Sequence, residues 1–337
     1  MFKLRIGYLI AGITTGCILL LSFIWTLPDG KLHIVFCNVG QGDGAYIRFP
    51  DGRDMVVDGG PDDSILNCLG RHMPFWDRHI DMIVMTHPQK DHFEGLISLF
   101  ERYSVDYFVR SDVDNTTDSY QKLQEVVHRK KIPVKFVSTG DRISVEATTL
   151  SFIWPSKEQI AKGPDAAEVA SKNLDPGFSF SREKSSSVLG SQRRSQSESG
   201  QNFSGSPQHL PSGDLNDYCL VFFLRYGSFD AVFTGDADNR VEAHYTGGVL
   251  ADNDIEVLKV PHHGSRTGMT GDFIAWLHPK LAVISVGKNH YGHPAKEALD
   301  LLASVGAKTL RTDHDGDVEL ISDGKHWLVN NKKNVVN

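Results

Sequence analysis

The chain has 337 residues, enough for one large domain or two ordinary ones. Its 35 Lys and Arg against 42 Asp and Glu leave a net charge of −7, which excludes a globally basic nucleic-acid binder; such contact would need a local basic patch or a bound metal. The four cysteines, Cys17, Cys37, Cys68 and Cys219, have no CxxC spacing, which excludes a zinc ribbon and a dense disulfide framework, and Cys37 and Cys219 sit in apolar runs as buried residues would.

Lys3 and Arg5 precede an uncharged run over residues 6–27. At ~1.5 Å per residue such a helix spans roughly 33 Å, enough for a hydrocarbon core. No small-residue cleavage pattern follows, so an uncleaved transmembrane anchor is expected rather than a cleaved signal peptide. The positive residues before the span predict a cytoplasmic N-terminus and an extracytoplasmic remainder.

Residues 31–50 read as strand, turn, strand, with Gly40-Gln41-Gly42-Asp43-Gly44 as the turn. Residues 53–60 form a short strand ending in Asp58-Gly59-Gly60, and 64–71 a helix. The apolar run 80–85 predicts a buried strand, closed by Thr86-His87-Pro88 and followed by Gln89, Asp91 and His92. Two imidazoles and a carboxylate at a strand end suit zinc or manganese. Helices are expected over 93–103 and 119–130, with strands over 107–110, 134–137, 142–145 and 149–154. Residues 156–213 are rich in Ser, Gly and Gln and predict a disordered insertion, which loop-closure entropy tolerates. Strands at 218–224, 231–234, 255–260 and 281–286 follow, then a helix over 295–305 and strands at 309–312 and 317–321. The alternation predicts an α/β layered domain.

One pattern recurs. Strand after strand ends in Asp or His beside Gly or Pro: Asp58, His87, Asp236, His262 and His293. If these ends share one edge of packed sheets, the groups converge as a metal centre does.

The motifs FCNVGQGDGAYIRFP, MVVDGG, THPQKDHFEGL, FTGDAD, LKVPHHGSRT, SVGKNHYGHP and RTDHDGDVEL together resemble the metallo-β-lactamase superfamily, and more closely the extracellular hydrolase domain of the ComEC/Rec2 competence DNA-uptake proteins. The resemblance implies an αββα sandwich in two halves, 31–155 and 214–329, interrupted by the insertion. It implies one or two divalent ions, Zn²⁺ or Mn²⁺, at His87, Asp91, His92, Asp236 and His293, with Asp58 as support. His262 and His263 would line the site as catalytic residues, at least one of them stabilising a phosphoryl oxygen or leaving group, and Asp91 or Asp236 would orient water. Two positions depart from the pattern. Gln89 stands where the superfamily has His and the ComEC-like branch usually Asp, and the usual middle histidine has no counterpart around Asn216-Asp217-Tyr218.

The implied activity is a membrane-anchored, metal-dependent phosphodiesterase or nuclease acting on extracellular DNA. A single span cannot form a channel, so DNA uptake would require a separate DNA-channel protein. Hydrolysis of another ester, such as a phosphorylated cell-wall polymer, and a non-catalytic module with a decayed site stay open, because a fold alone does not choose a substrate.

Overall fold

The computed structural model describes residues 6–24, 27–162, 178–179, 213–246 and 255–330. Ile6–Ile24 is a helix, α1, of 19 residues. At ~1.5 Å per residue it is about 28 Å long. Among the described residues no helix is long and apolar enough to cross a membrane. The fold thus puts a helix where the anchor over 6–27 was expected, without showing a span.

The chain then runs through Leu32–Phe36 (β1), Gly44–Arg48 (β2), Asp54–Gly59 (β3), Ser64–His72 (α2), His79–Met85 (β4), Lys90–Arg102 (α3), Ser104–Arg110 (β5), Asp118–Arg129 (α4) and Val134–Phe136 (β6). Arg142–Val145 (β7), Thr148–Trp154 (β8), Lys157–Lys162 (α5) and Phe178–Ser179 (β9) follow. Next come Val221–Tyr226 (β10), Phe229–Phe233 (β11), Asn239–Tyr245 (α6), Val257–Lys259 (β12), Gly271–Leu277 (α7), Leu281–Ile284 (β13), Lys296–Ser304 (α8), Lys308–Arg311 (β14), Thr312–Asp315 (α9), Val318–Ser322 (β15) and Trp327–Asn330 (β16).

Two eight-stranded mixed sheets result. The first has the order β16-β15-β1-β2-β3-β4-β5-β6 and the second β14-β13-β12-β11-β10-β8-β7-β9. In the first sheet β3, β4, β5 and β6 are parallel; in the second β11, β12, β13 and β14 are. Side chains alternate across each strand, so neighbours in sequence enter different layers. Ile34 and Phe36 of β1 and Val84 of β4 enter the core between the sheets, where Phe36 stacks on Phe233 and Phe233 on Phe222. Val35, Ile83 and Met85 point the other way, onto α2, α3 and α4. Val232, Leu258 and Ile284 of the second sheet pack against α6, α7 and α8. Helices therefore cover the outer face of each sheet, the αββα order expected from the motifs.

Of the insertion expected over 156–213, the structure describes a short helix, α5, and β9, which pairs parallel with β7. Residues 163–177 and 180–212 lie outside the described residues. Cys37 corrects the sequence reading. It is buried, but as half of a disulfide with Cys68 that ties the end of β1 to α2. Cys219 is buried and free, as expected.

Candidate metal centre

The parallel strands decide where the site lies. Asp58 is the penultimate residue of β3, and Thr86 and His87 follow β4 directly. Gly235 and Asp236 follow β11, His262 and His263 follow β12, and Ser285 follows β13. Parallel neighbours end on one edge, so these residues converge there. The last contribution comes from α3, which starts at Lys90 and so holds Asp91 and His92 in its first turn. A carboxylate suits that end of a helix dipole. Gly42 allows the close approach of the β1–β2 loop to this turn. A Cβ on it would lie 2.2 Å from the carbonyl oxygen of Asp91, and Asp43 N donates to that same oxygen at 3.1 Å.

The imidazoles are held from behind. Nδ1 of His92 donates to Asp58 Oδ2 at 2.9 Å, and Nδ1 of His263 donates to the Ser285 carbonyl at 2.9 Å. The partners are a carboxylate and a backbone carbonyl, which accept, so Nδ1 is the donor and Nε2 faces the site. Asp58 is itself gripped by the backbone N–H and hydroxyl of Thr86, each at 2.7 Å. The backbone is left-handed at Asp58 (φ 55°), His262 (φ 49°) and His263 (φ 54°). Non-glycine residues hold that conformation at a cost and mostly at functional sites.

The free nitrogens meet two carboxylates. Asp236 Oδ2 lies 3.3 Å from His92 Nε2 and 3.2 Å from His263 Nε2, and Asp91 Oδ2 lies 3.4 Å from His263 Nε2. One ligand atom from each of Asp91, His92, Asp236 and His263 falls within 4.8 Å of all the others. The Asp91 side chain is 32% exposed while the other three are 0–2% exposed, so the group opens to solvent on the Asp91 side. His87 and His293 are not in this group. They end a row of rings running His87–His92–His263–His262–His293, with centroid spacings of 4.1, 5.6, 6.3 and 5.7 Å. Of the pair expected to line the site, His263 joins the potential ligands, and His262 stands beside it, partly exposed.

Charge is concentrated here. Burial would raise Asp236, but His263 and His92 hold it well below the carboxylate range. Burial works against charge on His92 and His263, yet the carboxylates, Asp236 first, keep both imidazoles well above the ordinary histidine range. Burial pushes His87 down to about 3, and neighbouring His92 adds to the shift.

The residues fit a divalent cation. Nε2 of His87, His92 and His263 and Oδ1 of Asp236 are buried with no hydrogen-bond partner, a costly state that a cation would relieve. Two imidazoles and two carboxylates suit zinc or manganese.

Three functional candidates were not read from the sequence. Lys259, the last residue of β12, pairs with Asp43 Oδ2, donates to the Gly235 carbonyl at 2.9 Å and lies 3.7 Å from Asp236 Oδ1. A lysine inside the run 255–260, otherwise a buried strand, was the available signal. Asp43 was read as a turn residue. Asn216 accepts from Gln89 Nε2 at 2.7 Å, so the two positions that depart from the superfamily pattern bond to each other.

Fold and site together define an α/β protein with mixed sheets that resembles the metallo-β-lactamases and carries a cluster able to hold a metal. The resemblance to ComEC-type competence proteins also extends along the sequence. The chain is 23% identical over 320 residues to ComE operon protein 3 of Bacillus subtilis (strain 168), covering 90% of this chain and 34% of that protein. It is 32% identical over 114 residues to competence protein ComA of Neisseria gonorrhoeae, covering 34% of this chain and 16% of that one. The chain therefore spans about a third or less of the length of these relatives. No family profile matches it. Among solved structures it is similar to the metallo-β-lactamase fold protein YhfI from Bacillus subtilis (TM-score 0.48, 11% identity, 86% of this chain and 99% of that one). It is similar also to Igni18, a metallo hydrolase from Ignicoccus hospitalis KIN4/I (TM-score 0.44, 10% identity, 85% and 98%). These overlaps are too loose to carry function.

Proposed function

We propose that the chain is a metal-dependent phosphodiesterase that cuts DNA outside the cytoplasm. The observation that carries this reading is the convergence of Asp91, His92, Asp236 and His263, with Nε2 of both histidines and Oδ1 of Asp236 unsatisfied. The similarity to two competence proteins favours DNA as the substrate. A divalent ion held by those four residues would supply Lewis acidity and activation of water near neutral pH. The protein's own groups do the rest. Asp91, the carboxylate on the solvent side, orients the attacking water and accepts its proton. His262, at the mouth beside His263 and His293, donates to a phosphoryl oxygen as negative charge develops. His293, partly exposed, flanks the mouth and limits how the substrate lies, while His87 is buried behind the centre.

Two features support an extracytoplasmic, membrane-tethered placement. The run over residues 6–27 follows Lys3 and Arg5, and the Cys37–Cys68 disulfide belongs in an oxidising compartment. A separate channel protein would then carry DNA inward.

The test is cleavage of linear single- and double-stranded DNA with Mn²⁺, Zn²⁺ or chelator, beside an Asp91→Ala, His92→Ala double variant. Metal-dependent cutting lost in the variant is the expected result. Bound metal without cutting would move the substrate to another ester, and no bound metal would favour a non-catalytic module.

A further inference from the structure

Lys259 is the one lysine among the buried charged residues described, 3% exposed in a central strand of the second sheet. A cation there is costly unless it is paired. Asp43 Oδ2 and the Gly235 carbonyl pair it, and Asp43 comes from the first sheet's side of the site. The ammonium also faces Asp236. Of that carboxylate's two oxygens, Oδ2 looks toward the Nε2 atoms of His92 and His263, while Oδ1 looks toward Lys259 Nζ at 3.7 Å. Asp236 is thus set between two positive charges, one built into the chain and one to be supplied by an ion. Beside the centre, two neutral amides, Gln89 and Asn216, are tied to each other at 2.7 Å with Asn216 Nδ2 3.5 Å from His262 Nε2, and a neutral amide is a weak ligand for zinc or manganese.

We propose that Lys259 takes the place of a second metal ion: the centre holds one divalent cation, and Lys259, acting through Asp236 and Asp43, is the positioning residue that supplies the remaining positive charge. This rests on the metal-centre reading above and adds its stoichiometry. Without the ammonium, Asp43 Oδ2, the Gly235 carbonyl and Asp236 Oδ1 would be three oxygen donors of the kind hard divalent ions prefer.

The experiment is Mn²⁺ titration of the full chain by calorimetry, with electron paramagnetic resonance to tell isolated from coupled ions. It is run on the natural chain, Lys259→Met and Lys259→Arg. The natural chain and Lys259→Arg should each bind one isolated ion. Lys259→Met should bind a coupled pair, or hold one ion at least about tenfold tighter because a nearby repulsive charge is gone. Two ions in the natural chain overturn the proposal even if Lys259→Met fails to fold. A folded Lys259→Met with one ion bound no more tightly than before overturns it too. No ion in the natural chain overturns the metal-centre reading itself, and is thereby told apart from failure of the lysine assignment alone.

Discussion

His263 and His293 are both histidines after parallel strands, and only geometry separates their work. His263 is fully buried, anchored through Nδ1 and aimed at Asp236 and Asp91. His293 sits two rings away, held below its ordinary range by burial and by His262 and His263. His263→Ala is therefore expected to weaken Mn²⁺ binding at least about tenfold, the scale on which even outer partners of metal ligands act. His293→Ala should weaken it less. Equilibrium dialysis of both variants measures this, and the reverse order would shift the ion toward the His293 end of the row. Residue types at strand ends could be read from the sequence because Asp and His beside Gly or Pro are rare inside strands. Which imidazole points where could not, since it depends on Asp58 and Ser285 meeting Nδ1 from other strands.

The element that joins fold and site is α3. Its first turn carries Asp91 and His92, and its seating on β3 leaves no room at Gly95. A Cβ there would stand 2.1 Å from the Gly59 carbonyl oxygen and 2.4 Å from that of Asp62. Both are backbone atoms, so neither can swing aside. Gly95→Ala is expected to cost about 1–3 kcal/mol or more of stability, as overpacking does, and to lower metal affinity by lifting the helix. Thermal unfolding and metal titration of one preparation test both; a variant with unchanged Tm would show α3 free to slide. The sequence placed this helix at 93–103, three residues late, because Pro88-Gln89-Lys90 carries no apolar periodicity. Those missed residues are the turn that places the carboxylate and imidazole. In β12 the error had another source. Lys259 broke the apolar run, but its partner Asp43 comes from a distant turn, and such pairing is a tertiary fact.

At the scale of the molecule, the Cys37–Cys68 disulfide joins cysteines 31 positions apart and closes a loop that holds β2, β3 and the start of α2, the part of the first sheet that carries Asp43 and Asp58. Replacing both cysteines by serine is expected to cost about 2–4 kcal/mol. Chemical denaturation with and without reductant measures this, and an equal midpoint under both conditions would mean the bridge contributes nothing. Composition could not show this bond, because four cysteines without a spacing motif give no pairing. The α/β layering was legible, since strands buried on both faces read as continuous apolar runs, while the sandwich order came from the resemblance of the motifs; β16 was missed because its residues are half-exposed. The sheet order has one more consequence. β1 pairs with β15, Leu32 opposite Ser322 and Phe36 opposite Val318, so the first strand of the first sheet waits for almost the last. A ribosome delivers the chain from its N-terminus, and pairings this distant in sequence are slow to close. Until residue 318 has emerged, β1 presents an unpaired edge, and an unpaired edge recruits other strands. Whatever shields that edge during synthesis governs how much of the protein reaches its folded state.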